Sequence, residues 1–120
     1  MSEMLIPKDN ALRSKTHREF VAKLCCIKCH VHPCVAAHFR LGTGGGTSYK
    51  PSDIYTVPLC HDHHNEQHGG ERTFYRDLLR HIGEDDIIDH VKNFCRHLYA
   101  ATGNTVEGFK LARSFRHGIR

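Results

Sequence analysis

Two short pairs of residues constrain this chain more than any other feature: Cys26-x2-Cys29 and, further along, Cys60-x2-His63. Three thiolates and one imidazole make a donor set that tetrahedral Zn²⁺ prefers, and two close-spaced pairs on separate elements are its usual structural arrangement. Any fold of this chain therefore has to bring the two pairs together. The composition agrees: 12 His and 6 Cys stand among 120 residues. Six cysteines could also form three disulfides in a secreted protein. The opening segment Met1–Pro7 has neither a basic n-region nor an apolar h-region, so no secretory leader is expected. The expected location is cytoplasmic and reducing, where this spacing means metal. Cys25 and Cys26 are adjacent, so at most one of them serves a given site. Cys95 lies in an amphipathic helical pattern and reads as a small buried hydrophobe.

The chain has room for one modest core. Its 17 basic and 13 acidic residues leave a net charge of +4, which permits a polyanionic partner without requiring one. No apolar run is long enough to span a membrane, so no membrane partner is expected.

Three stretches are expected. Residues 1–13 read as an irregular lead-in. Residues 14–80 read as the zinc domain. Within it, Ser14–Leu24 reads as a helix, with Ser14 or Thr16 as cap and Glu19 completing a capping box with Thr16. Val35–Arg40 and Ile54–Val57 read as two short strands, the second stopped by Pro58. Between them lies the glycine-rich loop Gly42–Thr47. A short helix is expected from Cys60 to His68, ended by Gly69-Gly70. Residues 81–120 read as a helical extension with a basic tail. A helix over Thr73–Ile82 leads into it, closed by Gly83. A second helix over Asp85–Ala101 carries Ile87, Ile88, Val91, Phe94 and Leu98 at helical spacing, and the segment after Asn104 reads as frayed.

The helix after Cys60 carries a further pair. His64 and His68 are four apart and share one face, whereas adjacent residues project about 100° apart. One helix can thus serve two metals, with Cys60 and His63 toward the knuckle and His64 and His68 toward a cleft. The competing assignment pairs His64 with Cys60 and leaves His68 without a helical partner histidine.

Taken together, Cys26-x2-Cys29, Ala37-His38-Phe39-Arg40, the glycine-rich loop, Lys50-Pro51-Ser52-Asp53 and Val57-Pro58-Leu59-Cys60-x2-His63-His64-x3-His68 resemble the HNH, or ββα-metal, nuclease superfamily. The closest likeness is to its small phage and prophage members, including the recombination-enhancement nucleases. The resemblance spans roughly residues 14–80. It implies an α+β fold: a two-stranded hairpin and a helix around one catalytic divalent metal, stapled by a structural zinc knuckle and flanked by helices. It implies His38 as general base and His64 and His68 as ligands of the catalytic metal. The middle asparagine of the family name falls at Asp53. The position before the base, often a metal-ligating Asp or His in the family, is Ala37. The resemblance therefore leaves two arrangements open. Asp53 supplies the missing carboxylate to the catalytic metal, or His38 is itself a ligand and the base lies elsewhere.

The chemistry is coherent. A neutral histidine near pH 7 can take a proton from water. Mg²⁺ or Mn²⁺ can bridge a scissile phosphate and its departing oxygen, and a site of two imidazoles and a carboxylate also suits Ni²⁺ or Zn²⁺. Arg40, two residues after His38 and on the same strand face, can fork onto the phosphate. Lys28 and Lys50 are further backbone contacts. The loop Gly42–Thr47 lacks the ending of a P-loop. The expected function is metal-dependent phosphodiester hydrolysis by an HNH-type endonuclease acting on nucleic acid, DNA first. The alternative is a non-catalytic zinc module that binds nucleic acid, or a protein partner through residues 71–120.

Overall fold

The first helix starts where the sequence places a cap. Ser14 is extended, and its hydroxyl accepts the His17 N–H, so α1 (Lys15–Ala22) begins with one of its open donors satisfied. The computed structural model describes residues 12–42 and 51–117. Most of the expected lead-in, the glycine-rich loop beyond Gly42, and Lys50 lie outside these residues.

After α1 the chain turns through the Cys26–Cys29 knuckle and enters β1 (Val35–His38), which pairs antiparallel with β2 (Thr56–Leu59). β1 is shorter than expected, because the ladder closes at His38 opposite Thr56, and Arg40 lies beyond it. Phe39 adds one more bond, donating to the Tyr55 carbonyl at 2.8 Å. β2 does not stop at Pro58, which pairs with Ala36 inside the strand. The Pro58 carbonyl faces away from β1 and accepts the Ile27 N–H at 3.1 Å. A residue's N and C=O project to the same side of a strand, so the missing N–H also faces away and no cross-strand bond is lost.

Next comes α2 (His61–Gly69), then α3 (Glu71–Leu78), α4 (Glu84–Ala100), α5 (Thr105–Arg113) and a 3₁₀ turn at Phe115–His117. The architecture of the described residues is α+β, with five α-helices around one two-stranded sheet. None of these helices is long and apolar enough to cross a membrane. α3 starts earlier and ends earlier than the periodicity suggested. Its first turn follows directly on Gly70, and the chain bends away at Leu79.

Residues 105–117, expected to be frayed, are helical and packed. The Asn104 side chain accepts the Glu107 N–H at 3.1 Å and caps α5. Gly108 then lets α5 approach α1 closely: a Cβ there would lie 2.8 Å from both Leu24 Cδ2 and Phe20 Cζ. Leu111, Ala112 and Phe115 join a buried cluster that runs from Phe20 and Leu24 through Val57, Leu59, Tyr75, Phe94 and Leu98. Cys95 is fully buried beneath the sheet, with its thiol 3.5 Å from the Thr56 carbonyl. The core under the hairpin and the Cys26–Cys29 knuckle is thus built in part by α4 and α5.

Phe115 closes that core. Its ring meets Phe94 edge-on at 4.8 Å and His90 at 5.3 Å, and its carbonyl accepts from His90 Nε2 at 2.7 Å. Phe115→Ala is expected to lower unfolding free energy by about 3–5 kcal/mol, the range for removing a large buried aromatic. Chemical denaturation monitored by circular dichroism measures this. A loss under about 1 kcal/mol would mean that the C-terminal segment is dispensable to the core.

Candidate functional site

The knuckle is organised by its own backbone. The Cys26 N–H donates to the Val31 carbonyl at 2.8 Å, and the His30 N–H donates back to the Cys26 carbonyl at 2.9 Å. His30 takes a left-handed conformation with φ of 66°, which reverses the chain directly after Cys29. The Lys28 N–H points at the Cys26 sulfur at 3.4 Å. The bond from Ile27 to Pro58 ties this turn to β2, one residue pair short of Cys60.

Cys60 is the N-cap of α2, extended at φ −68° and ψ 168°, and its carbonyl accepts the His64 N–H at 2.8 Å. His63, one turn into the helix, swings back over it. Cys29 Sγ lies 3.8 Å from Cys60 Sγ. His63 Nδ1 lies 3.4 Å from Cys26 Sγ and 3.2 Å from Cys60 Sγ. The four ligand atoms all fall within 4.8 Å of one another. In a tetrahedron with Zn–S bonds of ~2.3 Å, sulfurs sit about 3.8 Å apart, so the spacing fits an ion of that size. This Cys3His group can hold a metal ion such as zinc. It is formed by Cys26, Cys29, Cys60 and His63, so Cys26 and not Cys25, and His63 and not His64, complete the set. Cys25 is turned into the core at 1% exposure, and His64 faces elsewhere.

The electrostatics of the group also favour a cation. Burial pushes the Cys26 thiol up. The N–H groups of Cys60, Cys29 and Lys28, together with His63, outweigh that and bring it down to about 7. Cys29 goes the other way, to about 11, through desolvation and the neighbouring Cys26 and Cys60 thiols. Sulfurs this close resist ionising together unless a positive ion sits among them.

A second arrangement lies beside the first. His38, at the end of β1, donates through Nε2 to Asp53 Oδ1 at 2.9 Å. Asp53 has no exposed surface, and its other oxygen accepts the Ser14 N–H at 2.8 Å and Arg18 Nε at 2.9 Å. Burial raises the Asp53 carboxyl. The Ser14 N–H, His38 and Arg18 more than offset this and hold it below the ordinary carboxylate range. Asp53 is therefore an ionised buried group whose oxygens are engaged by protein donors.

His64 and His68 pair on the cleft side of α2, with ring centroids 4.5 Å apart. Desolvation, then the neighbouring His68, His61 and His38, lower the His64 pKa. Asp53 does not join them: among the described residues, only the Cys3His group brings three or more ligand atoms within 4.8 Å. The expected set of His64, His68 and Asp53 is thus divided, with Asp53 taken by α1 and His38.

A cavity of about 110 Å³ separates the parts, lined by His38, Arg40, Gln67, His68 and Glu71. Two of these went unnoticed in the sequence. Gln67 is buried, donating toward Tyr75 Oη at 3.0 Å and Glu71 Oε2 at 3.2 Å. Glu71 Oε2 also accepts the Arg40 N–H at 2.9 Å, and burial raises its carboxyl against the pull of Arg40 and His68. Glu71 follows Gly70, the residue that ends α2, so it reads in sequence as an ordinary first-turn acid of the next helix. Only its spacing of four from Gln67 hinted at a shared face. Arg18, the charge partner of Asp53, carried no sequence signal.

The chain belongs to the family described as "Protein of unknown function (DUF968)", whose model matches residues 1–79. The match runs through the knuckle, the hairpin, α2 and α3. No curated protein and no solved structure matches the chain.

Replacing Cys60 by Ser removes a thiolate shared by the α2 cap and the four-donor group. It should release bound zinc and lower the melting temperature sharply, since such sites bind with on the order of 10 kcal/mol coupled to folding. Cys25→Ser should retain the zinc. Metal analysis after gel filtration reads both. Retention of zinc by Cys60→Ser would remove Cys60 from the ligand set.

Proposed function

We propose that this family member is a metal-dependent nuclease of the HNH, ββα-metal type that hydrolyses phosphodiester bonds in DNA. The observation that carries the reading is the His38–Asp53 pair, 2.9 Å apart, at a cavity shared with His68 and Arg40. The order hairpin, then helix, with His38 on the first strand and His64 and His68 on the helix, supports it.

An ionised Asp53 fixes the proton of His38 on Nε2, because that nitrogen faces a carboxylate that can only accept. Nδ1 is then the basic nitrogen, and the ring is held in one orientation. This is the state needed to remove a proton from an attacking water. Asp53 acts as a positioning residue, with Arg18 and the Ser14 N–H keeping it charged. Arg40 engages the phosphate. His64 and His68 would hold the catalytic ion, Mg²⁺, Mn²⁺, Ni²⁺ or Zn²⁺, which would supply charge stabilisation to the hydrolysis. Cys26, Cys29, Cys60 and His63 hold a structural zinc that locks α2 to the knuckle.

His38→Ala should leave zinc content and DNA affinity nearly intact and slow hydrolysis by roughly 10²–10⁴-fold. His64→Ala should also lose cleavage, but through the catalytic ion, so raised metal concentration restores part of it. Cleavage of plasmid and single-stranded DNA across a metal titration separates the two. Restoration of His38→Ala by metal would make His38 a ligand. A wild type that cleaves no DNA or RNA with any of these ions would replace the nuclease by a non-catalytic zinc module.

A further inference from the structure

Apart from the histidine cleft, a larger cavity of about 560 Å³ forms where three distant segments meet. The knuckle contributes Lys28, the end of α3 and the turn after it contribute Asp77, Arg80 and His81, and the 3₁₀ turn contributes Arg116 and His117. Leu78 is the one apolar residue in the lining. Its charged lining is three cations against the single acid Asp77.

The cations are held, but not consumed, by the fold. Arg116 Nη2 donates to the Lys28 carbonyl at 3.2 Å, which ties the C-terminal turn to the knuckle. A guanidinium carries five N–H donors, so this one bond leaves most of its fork for a ligand. Lys28 is the more committed cation, with its ammonium 2.9 Å from Glu66 and over the Phe74 ring at 5.4 Å. Arg80, His81, Arg116 and His117 are all exposed and add nothing to the core. Two exposed cationic segments, together with the half-buried Lys28, converge on this hollow.

We propose that this cleft binds the phosphodiester backbone of a nucleic-acid strand, as a contact separate from the hydrolytic site. The inference deepens the nuclease reading and rests on it. Arginine forks match phosphate oxygens two at a time. The volume lies within the ~300–1,000 Å³ range of sites that enclose a ligand of nucleotide size. Such contacts position a strand without reading its bases. Lys28 sits between Cys26 and Cys29 in sequence, so a strand held here lies against the Cys3His knuckle.

The test uses the full zinc-loaded chain without added catalytic metal. Binding of a fluorescent DNA duplex is read by anisotropy across a salt series, with inorganic phosphate as competitor. Arg80→Ala/Arg116→Ala should weaken binding about tenfold or more and make the slope of log K against log salt shallower by about 1–2, one unit per lost phosphate contact. The same variant should hydrolyse bis(p-nitrophenyl) phosphate, which reaches only the hydrolytic site, at the wild-type rate once catalytic metal is added. That result also shows the variant is folded. Unchanged duplex affinity and salt slope in the double variant would overturn the proposal. So would full displacement of the duplex by low concentrations of phosphate, which marks a small-anion site. A wild type that hydrolyses the small diester but binds no duplex would remove the cleft and leave the hydrolytic reading standing. A wild type that does neither would remove both.

Discussion

The convergence of three sulfurs and one imidazole is the constraint from which the rest of this molecule is arranged. Cys26 and Cys29 lie on a turn with no regular secondary structure, and Cys60 is at once a ligand atom and the N-cap of α2. An ion held between them fixes where α2 begins relative to the knuckle. The bond from Ile27 to Pro58 fixes the knuckle relative to the hairpin. With the start of α2 and the hairpin both set, His38 and the His64–His68 pair have little freedom left. The hairpin itself has only two strands of four residues, too little to be stable alone. Its support comes from the knuckle, whose Cys3His group can hold a metal ion, on one side and from α4 and α5 beneath it.

Asp53 is a second organising point, of a different kind. A buried carboxylate is unfavourable unless charged and polar partners surround it. Here the partners come from two places: Ser14 and Arg18 at the start of α1, and His38 at the end of β1. The desolvated charge therefore joins the first helix to the strand that carries the histidine, and it orients that histidine in doing so. Arg13 reinforces the junction by donating to the Pro51 carbonyl at 2.9 Å.

What could be read from the residues follows the range over which their causes act. The four-donor group was legible because its ligands come in pairs three apart, and such spacing has few uses other than a metal. α2 was legible from Cys60 to Gly70 for the same local reason. The Ser14 cap and the helical run of α4 were also legible, since both are properties of single turns. The contact of Asp53 with His38 could be expected, but its partners in α1 could not, because Ser14 and Arg18 lie 39 and 35 residues away and nothing local marks them. α5 was missed because Gly108 weakens intrinsic helix preference by about 1 kcal/mol, and the gain that overrides it lies in contact with α1. Pro58 misled for a related reason. Its cost in a strand depends on which side the missing N–H faces, and only the register with β1 settles that.

The central claim is that one ion, held by three sulfurs and one nitrogen, organises the site. X-ray absorption at the zinc edge of the purified chain measures that directly. The account predicts one zinc per chain, with about three sulfurs near ~2.3 Å and one nitrogen at ~2.0–2.1 Å in the first shell. A shell of two sulfurs, one dominated by oxygen or nitrogen, or a folded chain that carries no zinc would contradict it.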